Sequence, residues 1–263
     1  MEVHHHPHIP THAKPWKEYL LEGLMIFVAV TLGYGAENIR EHYVETKKAI
    51  ISAKNLYVDV TYDSIGYARN TINRSRQDSC FEIINAFYNN NTLDKEIPAI
   101  YAAHGCMTLR MLHQMNSLAL DEVKSSGTLK FLESDELKAA IQRYASLGNG
   151  LKLREQREFG YIDRMLDPIS IKNFEFNFYR AAGDNFKIDS NKIVVTVPIP
   201  ANLKIMKKDQ LDWDNYISIL GMLQTIRQST NNNYIEPTQK QCHELLALLR
   251  NYLIEHDALE NTH

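Results

Sequence analysis

Residues 20–36 read LLEGLMIFVAVTLGYGA, and this stretch decides how the rest of the chain is read. It carries one charge, Glu22, in seventeen residues. As a helix rising about 1.5 Å per residue it is about 26 Å long, close to the apolar thickness of a bilayer. Trp16 and Tyr19 precede it, and Tyr34 and Tyr43 lie at and beyond its far end, where interfacial aromatic belts form. The stretch is expected to be a single membrane anchor, with residues 19–37 as the transmembrane helix. A cleaved signal peptide is the weaker reading. The start is His-rich rather than basic, and helix-forming sequence, ENIREHYVETKKA, follows directly.

Upstream, residues 1–18 form a His- and Pro-rich tail in which Pro7, Pro10 and Pro15 favour extended backbone. His4, His5, His6, His8 and His12 are candidate ligands for Zn²⁺, Cu²⁺ or Ni²⁺, since neutral imidazole suits all three. Protonation near pH 6.5 offers a second use, contact with anionic lipid headgroups. A plain disordered tail with neither role is the simplest reading. No other cofactor is expected.

Downstream, Val44, Ile51, Val58, Ile65 and Ile72 recur at every seventh residue. No proline occurs between Lys17 and Ile97, so the membrane helix should continue to about Asn73, where the polar run NRSRQDS begins. A seven-residue repeat this long marks a helix packed along its length, in a bundle or in a parallel oligomer. The fourth-residue partners are Lys48, Asn55, Tyr62 and Arg69, which favours a bundle over a clean two-stranded coiled coil. Tyr57, Tyr62 and Tyr67 are expected to pack rather than bind.

The remainder reads as mainly α. A short helix at 80–89 should end in the Asn89–Asn91 turn, and 97–123 reads as one helix led in by Pro98. Ser125, Ser126 and Gly127 form a turn. Ser134 should cap a helix running to about Met165, with a weak point at Gly148-Asn-Gly150. Residues 167–208 differ in character. Phe174, Phe176 and Phe178 alternate, and 193–197 is β-branched, which suggests an irregular insert with one hairpin. Two helices, 209–229 and 237–256, separated by a turn at Asn231–Asn233, complete the bundle. The expected organisation is thus tail 1–18, membrane helix 19–37, stalk and bundle 38–166, insert 167–208 and C-terminal bundle helices 209–263.

The N-terminal HHHPH, the block WKEYLLEGLMIFVAVTLGYGAENIREH and the later KSSGTLKFLESDELKAAIQRY resemble an uncharacterised Bacteroidota family of single-span membrane proteins, a domain of unknown function. The resemblance covers 4–43 and 124–144 and does not extend beyond residue 166. It implies an inner-membrane location, and such a layout suggests a periplasmic helical domain. It implies no activity. The Lys and Arg balance alone is divided. Arg40, Lys47, Lys48 and Lys54 follow the span and favour a cytoplasmic domain, whereas Lys14 and Lys17 on a short tail favour an inside N-terminus.

Composition narrows the function classes. A net charge of −3 argues against nucleic-acid binding. Hydrophobic residues make up 44%, enough for a packed core. The 3 cysteines lack CxxC spacing, which argues against structural zinc. Cys242-His243-Glu244 opens like a zinc-protease motif, but Ala247 stands where a second histidine is required. His104, Cys106 and His113 share one predicted helix, and nine residues separate the two histidines, so they do not converge on one face. Gly148-Asn-Gly150 lacks the strand and lysine of a phosphate loop.

The candidate site residues are therefore those of the span. Glu22, Ala29, Gly33 and Arg40 fall on one helical stripe with Glu37 beside it. Small residues there allow a second helix to approach, and carboxylates at membrane depth invite a functional reading. The leading expectation is a membrane-anchored, non-enzymatic helical protein that self-associates or serves as an accessory or scaffold subunit. Its partners would be the lipid bilayer and either further copies of itself or another membrane protein. The alternative is a homo-oligomeric proton or cation path lined by Glu22 and Glu37. A third is a ligand-sensing bundle.

Overall fold

The computed structural model describes residues 15–113, 115–190, 192–201, 203 and 212–259. Helix α1, Trp16–Asn89, is one 74-residue helix, about 110 Å long. Its N-terminal part, to about residue 41, is exposed, and the bundle assembles around the part from Ala49 onward. The polar run 73–79 does not end it, contrary to expectation. Arg74 and Gln77 in that run face inward, where they find partners described below.

Three long helical rods form the bundle. The second is α4, Asp135–Tyr161, continued by a π turn, Ile162–Leu166, into α5, Asp167–Asn173. The third is α7, Trp213–Thr230, continued by a π turn, Asn231–Ile235, into α8, Glu236–Glu255. Between the first two rods lie α2, Ile97–Thr108, and α3, Leu118–Ser125. Helix α6, Phe176–Asp184, and the antiparallel hairpin β1, Phe186–Asp189, with β2, Lys192–Val195, separate the second rod from the third. The second rod runs alongside α1 in the same direction and the third runs back.

The π turns carry the backbone through positions where turns or ends are expected. Pro168 and Pro237 each lie two residues past one of them. A proline donates no hydrogen bond and crowds the carbonyl four residues back; a widened turn just before it relieves that crowding. Thus Asn231–Asn233 is not a loop, and Trp213–Glu255 is one continuous rod rather than two separate helices. Gly148 and Gly150 do not weaken α4 either. Each admits a neighbour, the Met115 side chain and the Tyr234 ring respectively.

Two further expectations are corrected. Residues 97–123 are not one helix: α2 ends at Thr108, whose hydroxyl bonds back to the His104 carbonyl, and Leu109 turns extended. Residues 167–173 and 176–184 are helical rather than irregular, and Phe174–Phe178 is not a strand, because Glu175 caps α6 by accepting from the amides of Asn177 and Phe178. The hairpin does form, with Phe186 opposite Val195. The Ser134 cap also forms, accepting from Leu137 N at 3.1 Å.

The core is split in two. The cluster nearer the apolar end of α1 joins its Ala49–Tyr67 stretch to α3, the start of α4 and the end of α8. The distal cluster joins Cys80–Ile84 to α2, α6, the hairpin and α7. Helices α2 and α6 cross at their glycines, where a Cβ on Gly105 would lie 2.7 Å from the Cα of Gly183. Between the clusters lies a belt of buried polar groups.

Candidate functional site

Two faces of α1 carry the features that could act. The inward face is a heptad seam, Ala49–Leu56–Asp63–Asn70–Gln77–Ile84, flanked by Ala53, Val60, Tyr67 and Arg74, all buried. Its middle is polar because it meets a stretch of backbone without helix, residues 109–113 and 115–117. Gln77 Nε2 donates to the carbonyls of Cys106 and Leu109, both at 3.0 Å. Asn70 Nδ2 donates to Leu112 O at 3.2 Å. The carboxylates of Asp63 and Asp59 accept from the amides of Asn116 and Ala119 at 2.9 and 3.2 Å. Each side chain replaces a partner that a helix would have supplied. Asp63 also accepts from Tyr144 Oη at 2.8 Å, and burial holds its carboxyl above the usual range. The sequence carried a signal for this seam in the equal spacing of Asp63, Asn70 and Gln77.

Deeper in the belt, Glu158 lies between two arginines. Arg74 Nη1 reaches its two oxygens at 2.9 and 2.7 Å, and Arg227 Nε reaches Oε1 at 3.0 Å. Arg227 Nη2 also donates to Met107 O at 2.6 Å. All three side chains are buried, so the carboxylate is what makes the two cations tolerable. The three helical rods are thereby joined at one point. Arg74 Nε and Nη2 have no partner among the described residues.

Beside this point, His113 Nδ1 and its backbone amide both contact Glu155 Oε1, and the imidazole stacks on Tyr67 at 5.6 Å. Both side chains line a cavity of about 470 Å³ between the extended segment, α3 and α4, with Lys124 and Lys152 also in its wall. The volume is in the range of small-ligand pockets. His104 lies elsewhere. It is stacked on Phe174 at 4.1 Å and held by Tyr216 Oη and Ser170 Oγ at 2.9 and 2.8 Å. Burial pushes its pKa down to about 3, so it is a neutral core histidine. The two histidines do not share a site, and His113 lies beyond the end of α2.

Cys80, Cys106 and Cys242 are buried free thiols. The Cys80 thiol donates to Cys106 and is held well above its ordinary range by that hydrogen bond and by burial. Burial raises Cys242, whose thiol donates to Val60 O at 3.5 Å, to about 12. His243 and Glu244 are exposed on α8. Among the described residues no group of three or more His, Cys, Asp or Glu side chains could hold a metal ion. His4, His5, His6, His8 and His12 lie outside the described residues.

The outward face of α1 holds the expected span residues. Glu22, Ala29, Gly33, Glu37 and Arg40 are all exposed, and nothing lies within 4 Å of the position a Gly33 Cβ would take. Glu37 is paired along its own helix with Arg40, whose Nε donates at 2.9 Å. The helix holds an 18-residue apolar window, mean hydropathy 1.6, with none of it buried. It is therefore long and apolar enough to cross a membrane.

The stripe Val44–Ile51–Val58–Ile65–Ile72 was expected to pack in the bundle. It does not. These five side chains are between 36% and 70% exposed, on the side of α1 away from the other rods. Of the three tyrosines, Tyr67 is buried, Tyr57 half-buried and Tyr62 exposed.

Comparison of the chain with protein-family models, with curated proteins and with solved structures finds no match.

Proposed function

We propose that the protein is a single-pass, membrane-anchored scaffold without enzymatic activity, working through self-association or as an accessory subunit of a membrane complex. The supporting observation is that one unbroken helix joins an apolar, wholly unburied segment to the inner rail of the bundle. A helix with no joint between span and bundle holds the domain at a set height above the bilayer. The resemblance of residues 4–43 supports a bacterial inner membrane and a periplasmic bundle.

Alkaline carbonate extraction of membranes containing the full chain tests the anchor. The protein is expected in the pellet, and recovery in the supernatant would overturn the reading. Protease added to intact spheroplasts tests orientation, with digestion of the bundle expected. Native mass spectrometry of the detergent-extracted protein, partners retained, separates a homo-oligomer from a subunit of a larger complex.

A further inference from the structure

We infer that the outward stripe of α1 is the contact surface for a second copy of this chain, paired parallel and in register from the span to about residue 72. The inference rests on the membrane-anchored reading above, because the span is what sets two copies at the same height.

The stripe is continuous with the span. Ile26 lies eighteen residues before Val44, five full turns, and Gly33 lies eleven before it, about three turns. Gly33 and Val44 therefore project within about 20° of each other around the axis. The stripe then extends about 42 Å from Val44 to Ile72. Its seven-residue period drifts about 20° per heptad on a straight helix, a drift that a left-handed pair of helices removes. Between Val44 and Ile72 the protein's own bundle does not use this face: the α1 side chains buried there follow the Ala49–Leu56–Asp63–Asn70 seam and its Ala53–Val60–Tyr67 flank, with Ser52 at the edge. Five β-branched residues left in water at strict heptad spacing have the pattern of a seam without its partner.

The occupant follows from register and charge. Two copies anchored in one bilayer present Val44, Ile51, Val58, Ile65 and Ile72 at equal heights, so each meets itself. With these residues at the d positions of a heptad, the residues flanking the seam pair as i with i+5 across it. Arg40 then faces the partner's Glu45, and Lys54 faces the partner's Asp59. Each is an opposite-charge pair. Their present contacts leave capacity for this: Glu45 pairs with Lys48, Arg40 with Glu37, and Asp59 accepts one amide. The intervening a positions are Lys48, Asn55, Tyr62 and Arg69. Like charges at Lys48 and Arg69 weaken the seam in solution. The association thus depends on the span, where Gly33 and Ala29 admit a close helix.

Cysteine crosslinking of the full-length protein in native membranes tests this. Ile51→Cys, Val58→Cys and Ile65→Cys, made singly, should each give a disulfide-linked species of twice the 30.4 kDa chain mass on mild copper-phenanthroline oxidation. Leu153→Cys, on the exposed face of α4, should not. Same-residue crosslinks at all three positions require a parallel pair in register; an antiparallel pair could align one position at most. Adding Gly33→Ile to Ile51→Cys should lower the dimer yield severalfold. The buried native thiols serve as the background, and unchanged far-UV circular dichroism confirms that each variant folds.

Yields no greater than that of Leu153→Cys in carbonate-resistant membranes overturn the inference and leave the anchor intact. Crosslinks only to a species of another mass also overturn it. Loss of the protein to the soluble fraction overturns the anchor reading itself.

Discussion

The two faces of α1 belong to one helix and follow the same seven-residue period, yet they have opposite fates. The inward face is polar at its centre and buried; the outward face has an exposed aliphatic residue at every seventh position from Val44 to Ile72. Hydrophobicity alone would reverse them. What decides is the backbone of residues 109–113 and 115–119, whose amides and carbonyls must find partners once the chain leaves α2. Asp59, Asp63, Asn70 and Gln77 supply those partners, and an aliphatic stripe could not. The comparison teaches that on a helix with two heptad seams, the one matching the needs of the packed chain goes inside, and the greasier one is left for the outside.

The comparison can be broken hardest at Glu158. Glu158→Ala leaves Arg74 and Arg227 as buried cations with no shared carboxylate, and stability should fall by about 3–5 kcal/mol. Urea unfolding of the full chain in detergent, followed by circular dichroism, measures it. A fall under about 1 kcal/mol would mean that the polar belt is not what holds the three rods together.

Next comes the glycine contrast. Gly105→Ala forces a methyl group against Gly183 and should cost about 1–3 kcal/mol. Gly33→Ala, with open space around it, should leave unfolding of the bundle unchanged. Equal effects would erase the difference between a glycine that serves packing and one left free on the outward face.

His104 tests the inner region through pH. Its pKa is near 3 when folded and about 6.5 when unfolded, so between these values the unfolded chain binds the extra proton. Its stabilising contribution is complete above pH 6.5 and shrinks as the pH falls toward 3, by at most about 1.4 kcal/mol per unit. Unfolding midpoints at pH 7, 5.5 and 4.5 should decline more steeply for the wild type than for His104→Gln. Parallel declines would remove His104 as the cause.

The smallest effect belongs to the outward face. Ile65→Ser should change bundle stability by no more than about 0.5 kcal/mol. A larger loss would show that the stripe supports the fold as well as lying outside it.

Much of the architecture was legible in the amino-acid order. The apolar run 20–36, the absence of proline between Lys17 and Ile97, the Ser134 cap, the β-branched strand at Ile193 and the return of two helical segments to the bundle all follow from local chemistry. Local chemistry also dictates that α1 has a seven-residue period. It could not tell which of two stripes with that period faces the core, because each looks like a seam when the helix is read alone. Nor could it foresee that Pro168 and Pro237 would be carried through by π turns, since a proline ends a helix unless neighbouring rods hold the chain straight. Tertiary structure made both decisions for one reason: buried backbone must be hydrogen-bonded, and only the assembled chain reveals which backbone is buried and which side chains lie close enough to satisfy it.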